Sequence, residues 1–280
     1  MQISVVIPSY NRLESLKCAV ESVLTQDSAV DELIVVDDGS TDNTESYVKQ
    51  HFAQVKLIRQ SNQGVSAARN AGIRQAEYDW IALLDSDDSW HPNKISSIKE
   101  TQARHTDIGL FHSDEIWIRH GVRVNPMNKH QKSGGNIFLQ CLPLCVISPS
   151  AVVFKKSLIA SVGYFDESLV ACEDYDLWLK ICSQHPVHYI DNALITKYGG
   201  HEDQLSTLHW GMDRFRIRAL HRLVQQDNLS EAYRQAANAM MQKKLKVLLN
   251  GARKHNNQAV LNEFSILFDD DQSLQRVTTQ

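Results

Sequence analysis

The chain has 280 residues, of which 42% are hydrophobic and 22% are charged, as in ordinary globular proteins and unlike disordered or fibrous chains. A chain of this length can bury a large core without added disulfides. Its formal net charge of −4 provides no overall basic field of the kind that attracts nucleic acid, so we expect no nucleic-acid partner.

The five cysteines have neither the even number of a disulfide framework nor the spacing of a zinc site: Cys18, Cys141, Cys145, Cys172 and Cys182. We interpret them as reduced thiols, which favours the cytoplasm. The start of the chain, MQISVVIPSYN, has the pattern of a strand and lacks the basic start and long apolar stretch of a signal peptide. No window approaches the roughly 20 apolar residues of a membrane helix. Any membrane contact is therefore expected to be peripheral, at the inner face of the membrane.

Short β-branched runs alternate with helical patterns through the first hundred residues. This alternation predicts βαβ units and a largely parallel sheet, and therefore an α/β fold. The predicted strands are Ile3 to Ile7, Glu32 to Val36, Val55 to Ile58 and Trp80 to Leu84. The predicted helices are Arg12 to Leu24, Asp42 to about His51, and Val65 to Gln75.

The pattern becomes mixed from about Thr106 and purely helical after about Ser206. A strand is predicted from Ile108 to Arg119 and a helix from Tyr175 to Cys182. Three later helices are predicted, at Leu208 to Gln225, Leu229 to Leu249 and Asn257 to Phe268. They are separated by Asp227-Asn228 and by Gly251 to Asn256. We expect an α/β domain with two halves, residues 1–105 and 106–206, and an α-helical C-terminal extension, residues 207–280.

Acidic residues follow two of the predicted strands, where an open α/β sheet binds its ligands. In LLDSDD, three carboxylates follow one strand: Asp85, Asp87 and Asp88. Burying them together is costly without a cation, and carboxylates with phosphate oxygens and water suit Mg²⁺ or Mn²⁺. The segment therefore indicates a metal ion held between Asp87 and a diphosphate. The alternative is a solvated acidic turn that caps a helix near Asn93.

The segment DDGST follows the second strand and carries Asp37 and Asp38. A carboxylate in this position can accept hydrogen bonds from a base or a ribose hydroxyl, although the same residues also suit a plain turn and helix cap. The chain contains neither GxGxxG nor GxxxxGK[ST]. A bound nucleotide would therefore be held in another way than in those two motifs.

Together with VIPSYNR (residues 6–12) and NQGVSAARNAG (residues 62–72), these acidic segments resemble family 2 of the inverting glycosyltransferases. The four motifs stand in the family's order within the first ninety residues, and a weaker resemblance continues to about Ser206. The resemblance implies a GT-A fold, a mixed and mostly parallel sheet flanked by helices. It also implies a nucleotide-sugar donor, most often a UDP-sugar, bound with Mn²⁺ or Mg²⁺. Residues 1–105 would bind this donor and residues 106–206 the acceptor.

The resemblance implies a role for each matching residue on the donor side. Asp38 would accept from the uracil ring, with Asp37 as its neighbour near the ribose. Asp87 would bind the metal, and Asp85 the metal or the ribose. For Arg69 two roles stay open, a contact with the diphosphate or an ion pair with Asp37 or Asp85. The remaining donor-side residues are Pro8, Tyr10, Asn11, Arg12, Gly64 and Ser86.

The segment CEDYDLW resembles the family's ED segment, at the start of a helix in the acceptor half. Asp174 would be the general base that deprotonates the acceptor hydroxyl, with Glu173 in support. Alternatively, both acids only stabilise a helix N-terminus through its dipole. The later segment GGHEDQLS resembles a loop in which some relatives supply a histidine metal ligand. His201 is the corresponding residue here, unless its role is structural.

Basic residues recur in the C-terminal helices at Arg214, Arg216, Arg218, His221, Arg222, Lys243, Lys244 and Lys246. Such runs usually form solvated faces. The alternative is peripheral contact with anionic lipid headgroups, which would bring the enzyme to a lipid-linked acceptor.

The combined motifs predict an inverting, metal-dependent glycosyltransferase that acts on a glycan or lipid-linked acceptor in polysaccharide biosynthesis. A sugar nucleotidyltransferase is the alternative enzyme, but it would carry a Gly-rich basic loop where this chain has PSYNR. A non-catalytic nucleotide-sugar-binding module is the third candidate, although Glu173 and Asp174 are both present. The sugar, the acceptor and the oligomeric state stay open.

Overall fold

The computed structural model describes residues 1–125, 127, 130–200 and 209–277, with side chains to residue 267. The chain forms two compact units, Met1–Gln204 and Leu205–Gln280. The predicted metal ligand His201 lies outside the described residues.

Parallel strands form one side of the sheet in the first unit, in the order β3-β2-β1-β4. These strands are β1 (Ile3–Ser9), β2 (Glu32–Asp37), β3 (Lys56–Arg59) and β4 (Trp80–Leu83). The connecting helices are α1 (Leu13–Leu24), α2 (Thr44–His51) and α3 (Val65–Gln75). The predicted strands and helices of this region are therefore confirmed, with ends that differ by at most two residues.

The other side of the sheet continues from β4 in the order β8-β6-β9-β5, with β7 paired to β6. Its strands are β5 (Asp88–Trp90), β6 (Leu110–Arg119), β7 (Val122–Val124), β8 (Val152–Lys155) and β9 (His188–Gly199). The helices are α4 (Lys94–Arg104), α5 (Phe138–Cys141), α6 (Lys156–Val162) and α7 (Glu173–Cys182), with a 3₁₀ turn at Pro149–Ala151. Because β4 pairs with β1 and β8 while β5 pairs with β9, the acidic turn between them joins two distant parts of the sheet.

Strand β9 pairs in parallel with β6 but changes register along its length. Ser113 lies opposite Ile190, whereas Glu115 lies opposite Ile195. A β-bulge of this kind inserts extra residues into one strand and re-aims the side chains that follow it. Beyond the bulge, Lys197 of β9 lies opposite Asp88 of β5.

Helix α3 packs very closely on the parallel strands at Gly72. A Cβ atom built on Gly72 would clash with Cγ1 of Val6 in β1 and lie 3.1 Å from Cγ2 of Val36 in β2. Both valines are fully buried. The glycine is thus required by packing, and it lets α3 carry Arg69 close to the ends of the strands.

We expect Gly72→Ala to lower the free energy of unfolding by about 1–3 kcal/mol, because the added methyl group overpacks a rigid core. Gly251→Ala is the matched control, since Gly251 is also helical but a Cβ there meets nothing within 4 Å. Alanine in an exposed helix is favoured over glycine by up to about 1 kcal/mol. Urea unfolding, monitored by tryptophan fluorescence, measures the free energy of unfolding of both variants. An unchanged midpoint for Gly72→Ala would contradict this account of the packing.

The second unit is helical, with α8 (Asp213–Val224), α9 (Glu231–Lys254) and α10 (Gln258–Val277). Ser230 caps α9, because its hydroxyl accepts a hydrogen bond from the backbone N–H of Tyr233 at 3.3 Å. Phe215, Leu220, Leu245, Leu249 and Phe264 belong to its buried core. Within the described ranges, every helix is too short or too polar to span a lipid bilayer.

Three helices were predicted in this region, but two of the predicted ends are wrong. α9 continues through Gly251 to Lys254 because Ala252, the next residue, is buried in the core. α10 runs nine residues beyond Phe268, through a stretch whose polar composition gives no apolar periodicity. The predicted start of the first helix, Leu208, lies outside the described residues, and α8 begins at Asp213.

Candidate active site

The loops that follow β1 and β2 are tied together at the carboxyl edge of the sheet. Asp38 donates its backbone N–H to the carbonyl of Ser9 at 2.8 Å, and Asn11 donates its N–H to Ser40 Oγ at 2.9 Å. Asn11 Oδ1 in turn accepts from the N–H of Thr41 at 2.7 Å. Asn11 has a φ of 50°, which asparagine tolerates better than most residues. These bonds hold the two predicted nucleotide-binding segments side by side.

Both predicted base- and ribose-binding carboxylates are buried and support loops. Asp38 accepts from Gln60 Nε2 at 2.7 Å, from the N–H of Gln63 at 2.9 Å and from the N–H of Gly64 at 2.8 Å. Asp37 accepts from the N–H of Ser40 at 2.8 Å and lies 3.6 Å from Arg59 Nε. A carboxylate has about four lone-pair positions, so these bonds leave Asp38 able to accept from a ligand.

The other donor-side residues of these loops differ in exposure. Pro8 is buried within β1, whereas the ring of Tyr10 is 46% exposed at the end of that strand. Gly64 is exposed and precedes α3 with a φ of 91°, which a glycine adopts without strain. The exposed Tyr10 ring therefore offers an apolar face beside the loops that Asp37 and Asp38 support.

Arg69 connects the DSD segment to the ED segment. Its Nη2 lies 2.6 Å from Asp85 Oδ1, and its Nη1 lies 2.6 Å from Glu173 Oε1. Burial opposes the charge of Arg69, yet the two carboxylates raise its pKa above the ordinary value. Burial would raise the pKa of Asp85, but Arg69 and other cations lower it. Burial raises the pKa of Glu173 despite the pairing. Of the ion pairs left open by the sequence, the structure shows the one with Asp85 and adds Glu173.

Asp87 forms an ion pair with Arg12, with 2.7 Å between Oδ2 and Nη1. Burial, and then the neighbouring Asp85, raise the pKa of Asp87. The pKa of Asp87 is raised although Arg12 is paired with it, so this cation only partly offsets burial and the charge of Asp85. Ser86, between the two acids, is buried.

The carboxylate of Asp88 is bound by residues of the sheet and of the adjoining 3₁₀ turn. Its Oδ2 accepts from Ser150 Oγ at 2.6 Å and lies 3.9 Å from Lys197 Nζ, and its Oδ1 accepts from the N–H of Tyr198 at 3.2 Å. Burial raises the pKa of Asp88 to about 7. Ser150 Oγ also accepts from the N–H of Asp85 at 3.0 Å. Asp88 and Ser150 therefore hold the acidic turn in place, which the sequence did not indicate.

The charge balance of this region accommodates a divalent cation. The acidic turn carries three carboxylates (Asp85, Asp87 and Asp88), and Glu173 and Asp174 lie beside it, whereas the cationic side chains that interact with these five are Arg12, Arg69 and Lys197, so carboxylates outnumber cations. Within the described residues, no three His, Cys, Asp or Glu side chains converge on one metal position. Mg²⁺ and Mn²⁺ at phosphate-transfer sites commonly use one or two carboxylates, with phosphate and water completing the shell. The arrangement fits an ion of that kind.

Asp174 lies half-buried in the first turn of α7. Its Oδ1 accepts from the N–H of Tyr175 at 2.7 Å, and its Oδ2 accepts from the thiol of Cys145 at 3.3 Å. Both acids do lie at a helix N-terminus, where the dipole favours them. Because Glu173 is also bound to Arg69, the ED segment is fixed against the acidic turn.

Comparison with known proteins identifies the family. The model of the family described as Glycosyl transferase family 2 matches residues 4–159, which is more than half of the chain. The chain belongs to glycosyl transferase family 2. This family 2 enzyme is a glycosyltransferase, so the nucleotidyltransferase alternative is set aside.

Three bacterial proteins that are similar to this family 2 chain carry the name of glycosyltransferase. UDP-Glc:alpha-D-GlcNAc-diphosphoundecaprenol beta-1,3-glucosyltransferase WfgD of Escherichia coli is 31% identical over 208 residues, covering 73% of this chain and 79% of WfgD. Uncharacterised glycosyltransferases of Rickettsia felis and Rickettsia conorii are 28% and 29% identical over 214 residues, or 72% of this chain. The chain spans only 35% and 34% of the length of these two rickettsial proteins.

Solved structures of glycosyltransferases share the fold. TarS 1-349 of S. aureus in complex with UDP-GlcNAc has a TM-score of 0.71 at 20% identity, covering 87% of this chain and 72% of TarS 1-349. Mannosyltransferase PcManGT from Pyrobaculum calidifontis, in complex with GDP-Man and Mn²⁺, has a TM-score of 0.63 at 15% identity, covering 93% and 80%. The predicted GT-A fold is confirmed.

Several residues of the family 2 site were not predicted from the sequence. Lys197 faces the acids, and although burial opposes its charge, Asp88 and other carboxylates raise its pKa. Lys132 and Glu115 form a buried ion pair at 2.7 Å. Lys197 lies opposite Asp88 because β5 pairs with β9. No local sequence pattern indicates that these two strands pair.

We expect Arg69→Met to lower the free energy of unfolding by about 3–5 kcal/mol, because it removes the guanidinium that is paired with two buried carboxylates, Asp85 and Glu173. Arg74→Met is the control on the same helix, since Arg74 is half-exposed and lies 3.6 Å from Glu167. Replacing Arg74 should lower the free energy of unfolding by at most about 1 kcal/mol. Chemical unfolding of both variants tests this, and equal costs would contradict the proposed importance of the Arg69 cluster.

Proposed function

We propose that this chain is an inverting, metal-dependent glycosyltransferase that moves a sugar from a UDP-sugar to an acceptor hydroxyl. The observation that supports it most directly is the Arg69 bridge. One guanidinium binds Asp85 of the donor-side acidic turn and Glu173 beside the proposed base. The two groups that a displacement reaction needs, a diphosphate site and a base, are thereby kept next to each other.

Residues 1–105 form the donor half in this proposal. The loops after β1 and β2 would hold the nucleotide, with Tyr10 beside the base and with Asp37 and Asp38 at the uracil and ribose. Pro8, Asn11 and Gly64 would shape the backbone around it. The name of WfgD includes UDP-Glc, and TarS 1-349 was solved with UDP-GlcNAc, which supports a uridine donor here.

Asp87, with Asp85 and Ser86 beside it, would hold Mn²⁺ or Mg²⁺. The ion would supply positive charge to the departing diphosphate, a form of electrostatic stabilisation. PcManGT was solved with GDP-Man and Mn²⁺, which supports metal use at a site of this fold. Arg12, whose guanidinium pairs with Asp87 in the free protein, would then be available to the diphosphate. Arg69 would stay paired with Asp85 and Glu173. His201 is retained as a further candidate ligand on its sequence alone.

Residues 106–206 form the acceptor half, with Asp174 as general base. Its carboxylate would take the proton of the acceptor hydroxyl while that oxygen bonds to the anomeric carbon. The bond from the anomeric carbon to the diphosphate oxygen breaks on the opposite face. This single displacement inverts the anomeric centre. Glu173 would orient the segment through its bond to Arg69.

The acceptor would be a glycan or a lipid-linked sugar, in polysaccharide biosynthesis at the cytoplasmic side of the membrane. The name of WfgD specifies a diphosphoundecaprenol-linked acceptor, which supports a lipid-linked acceptor here. Residues 207–280 would form the helical extension.

A panel of UDP-, GDP- and dTDP-sugars, assayed with Mn²⁺, Mg²⁺ or chelator, tests the proposal. We expect one UDP-sugar to bind only with metal, and Asp87→Asn to abolish that binding. Asp174→Asn should lower kcat by about 10²- to 10⁴-fold while donor affinity stays nearly unchanged.

Asp176→Asn is the matched control, because Asp176 lies in the same helical turn but pairs with Lys180 at 2.6 Å. This variant should keep the wild-type kcat. If no nucleotide-sugar binds under any condition, the donor site is wrong. If the wild type binds a donor but never transfers its sugar, the non-catalytic module is favoured.

A further inference from the structure

One face of α9 exposes cations at helical spacing. Lys243, Lys246, Asn250, Arg253 and Lys254 are exposed, and Val247 between them is 67% exposed. Their spacing of three, four, seven, ten and eleven residues from Lys243 places them on about one third of the helix circumference. The opposite face buries Met241, Leu245, Leu249 and Ala252 in the core of the second unit. We call the exposed set the α9 basic face.

Other cations that were predicted to form a basic surface contact acidic or aromatic side chains within the second unit. Arg216 and Lys244 both bind Asp213, at 2.8 and 3.0 Å. Arg218 pairs with Glu263. The guanidinium of Arg214 stacks on the Trp210 ring, 3.8 Å from its centroid. Arg214, Arg216, Arg218 and Lys244 are therefore engaged by groups of the second unit itself.

Among the side chains described, up to residue 267, the lysines of the α9 basic face make no ion pair. The sequence from Ala232 to Lys254 contains no Asp or Glu. Arg253 contacts the amide oxygen of Asn250 at 3.2 Å. Like charges three or four residues apart destabilise a helix. An external anionic surface would offset that repulsion.

We propose that the α9 basic face docks on the anionic headgroups of a lipid bilayer. The cations span about 16 Å along the helix axis, and Val247 at their centre would enter the headgroup layer. Clustered lysines and arginines near a bilayer surface are attracted to anionic headgroups. Single-stranded nucleic acid is usually bound by cations together with aromatic stacking, and this face carries no aromatic residue. Charge complementarity therefore favours the bilayer.

Co-sedimentation of the full chain with vesicles tests the proposal, using phosphatidylcholine alone and phosphatidylcholine with 30% phosphatidylglycerol. We expect binding only to the anionic vesicles and its loss at high salt. The triple variant Lys243→Gln, Lys246→Gln, Lys254→Gln should bind about a hundredfold more weakly, at about fivefold per charge. Val247→Ser should weaken binding a further few fold.

The matched control is Lys49→Gln, Arg104→Gln, Arg123→Gln, which removes the same charge from exposed positions of the first unit. It should bind like the wild type, and both triple variants should melt at the wild-type temperature. Equal binding to neutral vesicles, or an equal loss in the control, would overturn the proposal. Capture of a single-stranded RNA oligonucleotide in place of vesicles would also overturn it.

No donor, metal or acceptor is present in this measurement. Its outcome is therefore independent of whether the chain transfers a sugar. A positive result would add a surface that concentrates the enzyme where a lipid-linked acceptor lies.

Discussion

The buried guanidinium of Arg69 is the contact on which the rest of the site depends. It bonds to Asp85 on the acidic turn and to Glu173 at the start of α7. A planar group with donors on both sides can serve two carboxylates at once, whereas an ammonium is a single point charge. Gly72, one turn further along α3, allows the helix that carries Arg69 to approach the strands. The proposed donor and acceptor halves of this family 2 enzyme are thus joined by a short-range electrostatic contact.

Around that contact the site has more negative than positive charge. The two arginines bind the acids of the turn and of the ED segment, and Lys197 faces Asp88, yet the carboxylates outnumber these cations. Such a site is unfavourable on its own, because buried like charges are costly. In the proposed function the same imbalance becomes binding energy for a divalent ion. The loops after β1 and β2 need no ion, since Asp37 and Asp38 accept hydrogen bonds from backbone N–H groups.

The sequence predicted what local patterns determine. The parallel strands β1 to β4, their helices and the position of Glu173 and Asp174 at the start of a helix follow from periodicity and from motifs. It did not predict the pairing of β5 with β9, and therefore missed Lys197 opposite Asp88. It also missed Ser150, which lies far along the chain from the turn that it supports. Such contacts depend on long-range strand pairing, which has no signature in a short window. The sequence also placed the end of α9 before Gly251, whereas the helix continues to Lys254. The burial of Ala252 in the core outweighs the low helix propensity of glycine.

The bulge in β9 has a consequence for how this site tolerates change. Ser113 pairs with Ile190 and Glu115 with Ile195, so β9 advances five residues while β6 advances two. The three additional residues enter at two places, Asp191 and Asn192 before Ala193 and Leu194 after it. Asp191 and Asn192 are exposed, whereas Leu194 is fully buried. After them β9 returns to one-to-one pairing with β6, and this register places Lys197 opposite Asp88 of β5. A shift of that register by one residue would turn Lys197 to the other face of the sheet. The extra residues thus take up a difference in strand length, and the acidic turn depends on the register that follows them.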